Sequence, residues 1–349
     1  LRQFIHDSVP PEQRFYRDVA VVAYRLDPSA ARTAALWPPK LSCSETDQDP
    51  ANAVDGDGTT AAAVKAEGFL QFDFGEQVAV RGVEYLGDAC RLEASDDATN
   101  WRTAAELPEP RKWSYPQTLP VKETKARYFR LFYANGGSVS DVKLSGDSLV
   151  QDYQPKASFH GVWEDIKTAE ERIGAPTPEW AAATINAKDV LNLTDRLRHD
   201  GTLDWQAPEG DWMIVRFGCA PIGRLNSPCA REFAGLECDK LDAEAVQFHF
   251  DHYAGRVADE LKDLIGSGFH FVHVDSWEAG DLNFTPKFLE EFRNRRGYDP
   301  TPFLLVHGGG RVVNSPAVAD RFLWDVRRTI ADLLADNYFG KLNDLCHAR

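Results

Sequence analysis

The feature that most constrains the fold is a short apolar run, Phe269-His270-Phe271-Val272-His273-Val274-Asp275, followed almost at once by helix signals. Thr285 reads as an N-cap with Pro286 at the first helical position, and Arg295, Arg296 and Gly297 mark the helix end. The same alternation appears upstream. Residues 210–220 read as a buried strand after a Pro-Glu-Gly turn. A long helix is expected from Asp242 to about Leu264, with Val246, Phe250, Tyr253, Val257, Leu261 and Leu264 on one core-facing stripe. Gly266 and Gly268 end it. A glycine run at 308–310 and a helix from about Pro316 follow. Strands alternating with helices imply a parallel sheet covered on both faces. The apolar run 18–24, DVAVVAY, reads as one more buried strand and is expected to share a sheet with 212–218.

Between about 37 and 150 the texture changes. Short strand-like runs are separated by Gly, Asp, Asn and Pro, with no helical period. This spacing predicts a β-sandwich inserted into the alternating unit. The resulting organisation has three parts: 1–36, the inserted sandwich 37–150, and a continuation over 151–349.

Length and composition narrow the class. A chain of 349 residues has room for two or three domains. Its net charge of −15 excludes an ordinary nucleic-acid binder, which carries a basic stripe. Lys122, Lys125, Arg127 and Arg130 are the nearest approach and read as a solvated strand edge. No run of 18 apolar residues exists, so no helical membrane span is expected. The chain opens on Leu1 and closes inside a helical pattern, and both ends read as cuts through a longer protein. The six cysteines contain no C-x-x-C, which argues against a structural zinc site. For Cys219, Cys229 and Cys238, one bridge or isolated thiols both fit.

The chemistry concentrates where the strand 269–275 would end. Asp275 and Glu278 flank Ser276 and Trp277 there. In α/β domains the carboxyl ends of strands carry ligands and catalysis. A carboxyl group can do acid/base work and an indole can stack on a pyranose ring, so sugar chemistry is one reading. Helix capping by the acids and plain core packing by Trp277 is the other. His273 shares the alternate-residue face of Asp275, either toward substrate or as a core histidine. Glu237 and Asp239 precede the helix that Asp242 caps. Hard oxygen ligands on such a loop suit calcium, and a helix-start role fits equally. His249 and His252 form an HxxH pair without a nearby third ligand. Asp325 and Arg328 are placed as an i,i+3 pair. No phosphate-binding glycine motif and no G-x-S-x-G elbow occurs.

Two resemblances follow from particular stretches. Val54-Asp55-Gly56-Asp57 and Asp73-Phe74-Gly75 resemble the turn and strand end of the coagulation-factor type C, or discoidin-like, family, although TTAAAV stands where that family has a Trp. The stretches DGTLDWQAPEGDWMIVRFGCAPIG, AGLECDKLD, VDSWEAGDLNFTPKFLEEFRNRRGYDPTPFL and RFLWDVRRTIADLLADNYF are similar to glycoside hydrolase family 106, the α-L-rhamnosidases. Phe284 stands where that family often has Trp. The resemblance implies an α/β fold, a partial (β/α)8 TIM-type barrel interrupted by the all-β sandwich. It also implies calcium at the active site and two glutamates that release terminal α-L-rhamnose with inversion. Glu278 becomes one of the two, and Asp275 a group that holds a sugar hydroxyl or orients it. The second glutamate is expected beyond Arg349, which would leave the chain alone inactive. The implied partner is a rhamnose-containing glycoside or polysaccharide, and the implied location secreted or periplasmic. A retaining carbohydrate-active barrel, a non-catalytic sugar-binding protein and a calcium-stabilised structural module are the alternatives.

Overall fold

The structure, a computed structural model, describes residues 15–44, 48–108, 116–159, 173–222, 225–226, 229–274 and 282–349. The chain enters on strand β1 (Arg17–Arg25). Asp27 then caps helix α1 (Pro28–Ala35), its Oδ1 accepting from the Ser29 amide at 3.0 Å. Seven strands follow: β2 (Lys40–Cys43), β3 (Ala62–Val64), β4 (Gly68–Gly87), β5 (Cys90–Ser95), β6 (Arg102–Leu107), β7 (Gln117–Tyr133) and β8 (Gly137–Ser145). They form one sheet in the order β3-β8-β4-β7-β5-β6, with β2 also on β4.

Its two long strands, β4 and β7, make the sheet curl. Their register breaks between Asp73 and Val78 and again between Val80 and Gly82. At the first break Gly75 adopts φ +78°, in the left-handed region, and its amide donates to Asp73 Oδ1 at 2.8 Å. The Asp73-Phe74-Gly75 triplet therefore bends the strand and does not end it. Gly82 faces Leu149, whose side chain would lie 2.5 Å from any added Cβ. The concave side encloses Leu70, Phe72, Leu92, Phe129 and Leu131, none of them exposed. At one end of this core the Tyr85 and Tyr133 hydroxyls meet at 2.9 Å, and Cys90 Sγ lies 3.4 Å from Tyr85 Oη. β7 lies between β4 and β5, so the basic residues on it are not at an edge. Arg127 pairs with Asp73, and Arg130 pairs with Glu93 and covers Trp101.

The second sheet is small. β1 lies between β10 (Trp212–Cys219) and the two-residue β9 (Leu191–Asn192). The shared sheet of 18–24 and 212–218 is present, but the pairing is antiparallel. Val22 and Tyr24 face one core, and Val21 and Ala23 face another with Leu193, Trp205 and Trp212. Burial on both sides explains why this strand reads as a continuous apolar run.

These sheets overturn the expected parallel (β/α)8 barrel. Among the described residues every strand pair of the two sheets is antiparallel, and the larger one is a curled half-barrel. Two local features explain the failure. β10 alternates partly buried and exposed residues, the mark of a one-sided antiparallel strand and not of a doubly covered parallel one. Residues 270–274 form no strand, and Phe271, Val272 and Val274 are exposed.

Helices complete the molecule: α2 (Ala243–His252), α3 (Ala254–Glu260), α4 (Phe288–Arg296) and α5 (Pro316–Leu333). The expected single helix over 242–264 is broken at Tyr253, with φ −127° and ψ −89°. Val246 and Phe250 from its stripe are buried, whereas Tyr253, Val257, Leu261 and Leu264 are exposed. α4 ends as expected at Gly297 with φ +82°. Its Phe288 and Phe292 pack with Phe322 of α5, the Phe292–Phe322 ring centroids lying 5.5 Å apart. Buried Asp147 ties the parts together. It accepts from Tyr24 at 3.0 Å, from Thr184 at 3.0 Å and from Arg311 at 3.2 Å. No described helix is long and apolar enough to cross a membrane.

Candidate active site

Asp242 caps α2 as expected, its Oδ1 accepting from the Glu244 amide at 3.0 Å. That cap fixes the end of the loop carrying Glu237, Asp239 and Lys240. Asp239 spans two elements: Oδ1 accepts from the Leu241 amide at 3.0 Å and Oδ2 from Thr285 Oγ1 at 2.6 Å. Thr285 is buried. The predicted N-cap at Thr285 is therefore corrected. α4 starts after Lys287, and the Thr285 hydroxyl serves Asp239. Lys287 adds a second tie, reaching Asp242 at 3.2 Å and Glu244 at 3.0 Å. Together these contacts clamp the loop 237–242 onto the segment 282–287.

Burial pushes the Asp239 carboxyl pKa up, against the opposing hydrogen bond from Thr285 and that from the Leu241 amide. Lys240 is buried, with Nζ 2.7 Å from Glu237 Oε2, and lies 5.7 Å from the Tyr338 ring centroid. Glu237 and Asp239 are thus already engaged by an ammonium and a hydroxyl. They do not fit an open calcium site in this arrangement. No group of three His, Cys, Asp or Glu side chains with metal-binding geometry occurs among the described residues. His249 stacks near Tyr253, and a His252 ring nitrogen lies 2.8 Å from the Phe248 carbonyl oxygen.

The three residues at the centre of the sequence argument, Asp275, Trp277 and Glu278, lie outside the described residues. His273 is exposed, which removes its core-histidine reading. No disulfide joins Cys219, Cys229 and Cys238. Asp325 pairs with Arg321 at 3.2 Å, while Arg328 pairs with Asp332 at 3.0 Å. The expected Asp325–Arg328 pair gives way to two i,i+4 pairs on the same helix.

Sequence reasoning missed His307. It is buried between Phe159 and Phe284, with ring centroids 5.5 and 6.1 Å away. Its Nε2 has no hydrogen-bond partner. Burial pulls its pKa down to about 4, with a backbone contact at Ala157 opposing. Nothing in PFLLVH signals this. The histidine matters because Phe284 and Asn283 belong to the segment leaving 275–281, and Asn283 Nδ2 donates to the Ala157 carbonyl at 3.4 Å.

Against this geometry, the model of the glycoside hydrolase 106 family, described as alpha-L-rhamnosidase, matches residues 3–349. The chain belongs to this family. It is similar to the solved rhamnosidase from Novosphingobium sp. PP1Y, with a TM-score of 0.77 and 31% identity. That likeness covers 97% of this chain and 32% of the rhamnosidase. A curated putative beta-glucuronidase from Formosa agariphila is 39% identical over 165 residues, 47% of this chain and 14% of that protein. The chain therefore spans less than a third of the length of either relative.

Proposed function

We propose that this chain forms part of an α-L-rhamnosidase that releases terminal α-L-rhamnose from glycosides or polysaccharides with inversion. The observation that carries this reading is the family match through essentially the whole chain. Inverting hydrolysis uses two carboxyl groups about 6.5–9.5 Å apart, one protonating the leaving oxygen and one activating water. Glu278 is proposed as one of the pair. Asp275 is proposed to hold a sugar hydroxyl or orient Glu278, with Trp277 and His273 contacting the ring. The clamp formed by Asp239, Thr285 and Lys287 supports this reading, because it fixes the segment that follows 275–281. Calcium enters no step: Glu237 is paired with the Lys240 ammonium and Asp239 with the Thr285 hydroxyl.

Residues 37–150 are proposed as a discoidin-like unit serving as a spacer. Two observations support it. The strands within that range pair only with one another among the described residues, and β1 pairs with β10 across the insertion.

A second reading, a glycosidase for β-glucuronides, is favoured by the Formosa relative's printed name. One experiment separates the two. The protein, in the full length its gene encodes, is given p-nitrophenyl α-L-rhamnoside and p-nitrophenyl β-D-glucuronide. The products are followed by proton NMR. Rhamnose released first as the β-anomer supports the proposal. Glucuronide turnover alone, or α-rhamnose released first, overturns it.

A further inference from the structure

Helix α5 exposes an indole where a surface helix ordinarily carries polar groups. Trp324 is 46% exposed, and Arg321 lies over its ring, 4.4 Å from the centroid. Beside it an open cleft is lined by Lys156, Asp320, Arg321, Trp324, Arg327 and the segment 173–176. The cleft has three cationic side chains and one carboxylate, and that carboxylate is consumed. Asp320 accepts from Lys156 Nζ at 2.8 Å, from the Thr177 amide at 2.7 Å and from Thr177 Oγ1 at 3.0 Å. Lys156 is 2% exposed, so this network is built into the fold and holds the cleft floor in place. Arg321 is answered by Asp325. Arg327 is answered only in part: burial disfavours its charge, and Asp320 favours it across the cleft. Its Nη1 donates to the Lys156 carbonyl at 2.5 Å, and no carboxylate pairs with it among the described residues.

We propose that this cleft binds an acidic sugar, a pyranose bearing a carboxylate as in a uronic acid residue of a polysaccharide. The indole offers the exposed surface that Arg321 does not cover, and the Arg327 guanidinium offers the N–H donors not given to the Lys156 carbonyl. A neutral sugar would leave Arg327 only the pull of Asp320, a carboxylate already hydrogen-bonded to Lys156 and Thr177. A simple anion would leave the indole unused. The carbohydrate half of this proposal rests on the glycosidase reading, and its test measures binding and not hydrolysis, so the two can fail separately.

Trigalacturonic acid and the neutral trisaccharide maltotriose are titrated into the protein at low salt, with calorimetric detection. The acid is expected to bind at least tenfold more tightly, and 0.5 M NaCl to weaken it. Arg327→Gln is expected to weaken acid binding by roughly 10- to 100-fold, the usual loss for a charge-assisted hydrogen bond. Trp324→Ala should weaken it about tenfold. Arg328→Gln, on the same helix but paired with Asp332, should change nothing. Equal binding of the two trisaccharides, no binding of the acid at millimolar concentration, or unchanged binding by Arg327→Gln would each overturn the proposal. The wild-type comparison decides the matter even if a variant folds poorly. Rhamnoside turnover that persists while acid binding fails would sink this proposal alone.

Discussion

The curled sheet over 40–145 and the helical stretch over 243–264 are both rich in apolar residues, yet they bury them differently. In the sheet, Phe72, Leu92, Phe129 and Leu131 have no exposed surface. In the helical stretch Phe248 is 65% exposed and Tyr253 67%. The difference is geometric. A sheet that bends at Gly75 can fold its apolar face onto itself. A helix pair cannot, and needs a second element over its stripe. Periodicity names the apolar face of an element; it does not say what covers that face.

The largest effect on stability should come from the sheet. Phe72→Ala empties a site with no exposed surface and should cost roughly 3–5 kcal/mol in denaturant unfolding. A loss under about 1 kcal/mol would mean that the curled core is not closed.

A smaller effect is expected where the helical part closes around His307. Its folded pKa, about 4, lies below the unfolded value of 6.5. The neutral ring's contribution is therefore fully present above pH 6.5 and is lost as pH falls toward about 4. Melting followed from pH 7 to pH 4 should show a loss of about 2–3 kcal/mol that His307→Phe removes. A parallel pH profile in the variant would refute the buried neutral ring.

Next comes the clamp. Asp239→Ala and Thr285→Val should each cost about 1–3 kcal/mol, and the double variant less than their sum. Additive losses would show that the 2.6 Å hydrogen bond carries no coupling. The carboxyl pKa of Asp239 is raised, so its stabilising contribution is present in the acid range and fades as pH rises through that pKa. Asp239→Asn should flatten this dependence.

The smallest effect tests the other side of the comparison. Val257→Ala, at a position 43% exposed, should stay within about 0.5 kcal/mol. A loss of core size there would show that the stripe is covered after all.

What could be read in advance followed the same division. The run 18–24 announced a strand buried on both faces, Asp242 announced a cap, and Gly297 announced a helix end, because each depends on local chemistry. Pairing direction did not. The antiparallel β1–β10 ladder joins residues about two hundred positions apart, and neither strand encodes the direction in which its partner runs. The break at Tyr253 was hidden by intact periodicity on both sides of it. At the candidate site, the acids at 237 and 239 were visible as residues. Their engagement by Lys240 and Thr285 was not, since an N-cap threonine and a buried hydroxyl donor look identical in sequence.

The central claim, that Glu278 does acid/base work in a rhamnosidase, is tested most directly by Glu278→Gln in the protein at the full length its gene encodes. Turnover of p-nitrophenyl α-L-rhamnoside is measured beside wild type at matched melting temperature. The account predicts a fall in kcat of roughly 10²–10⁴-fold with folding intact, the usual contribution of a positioned acid or base. Turnover close to wild type would contradict it and leave Glu278 a residue of the helix entry.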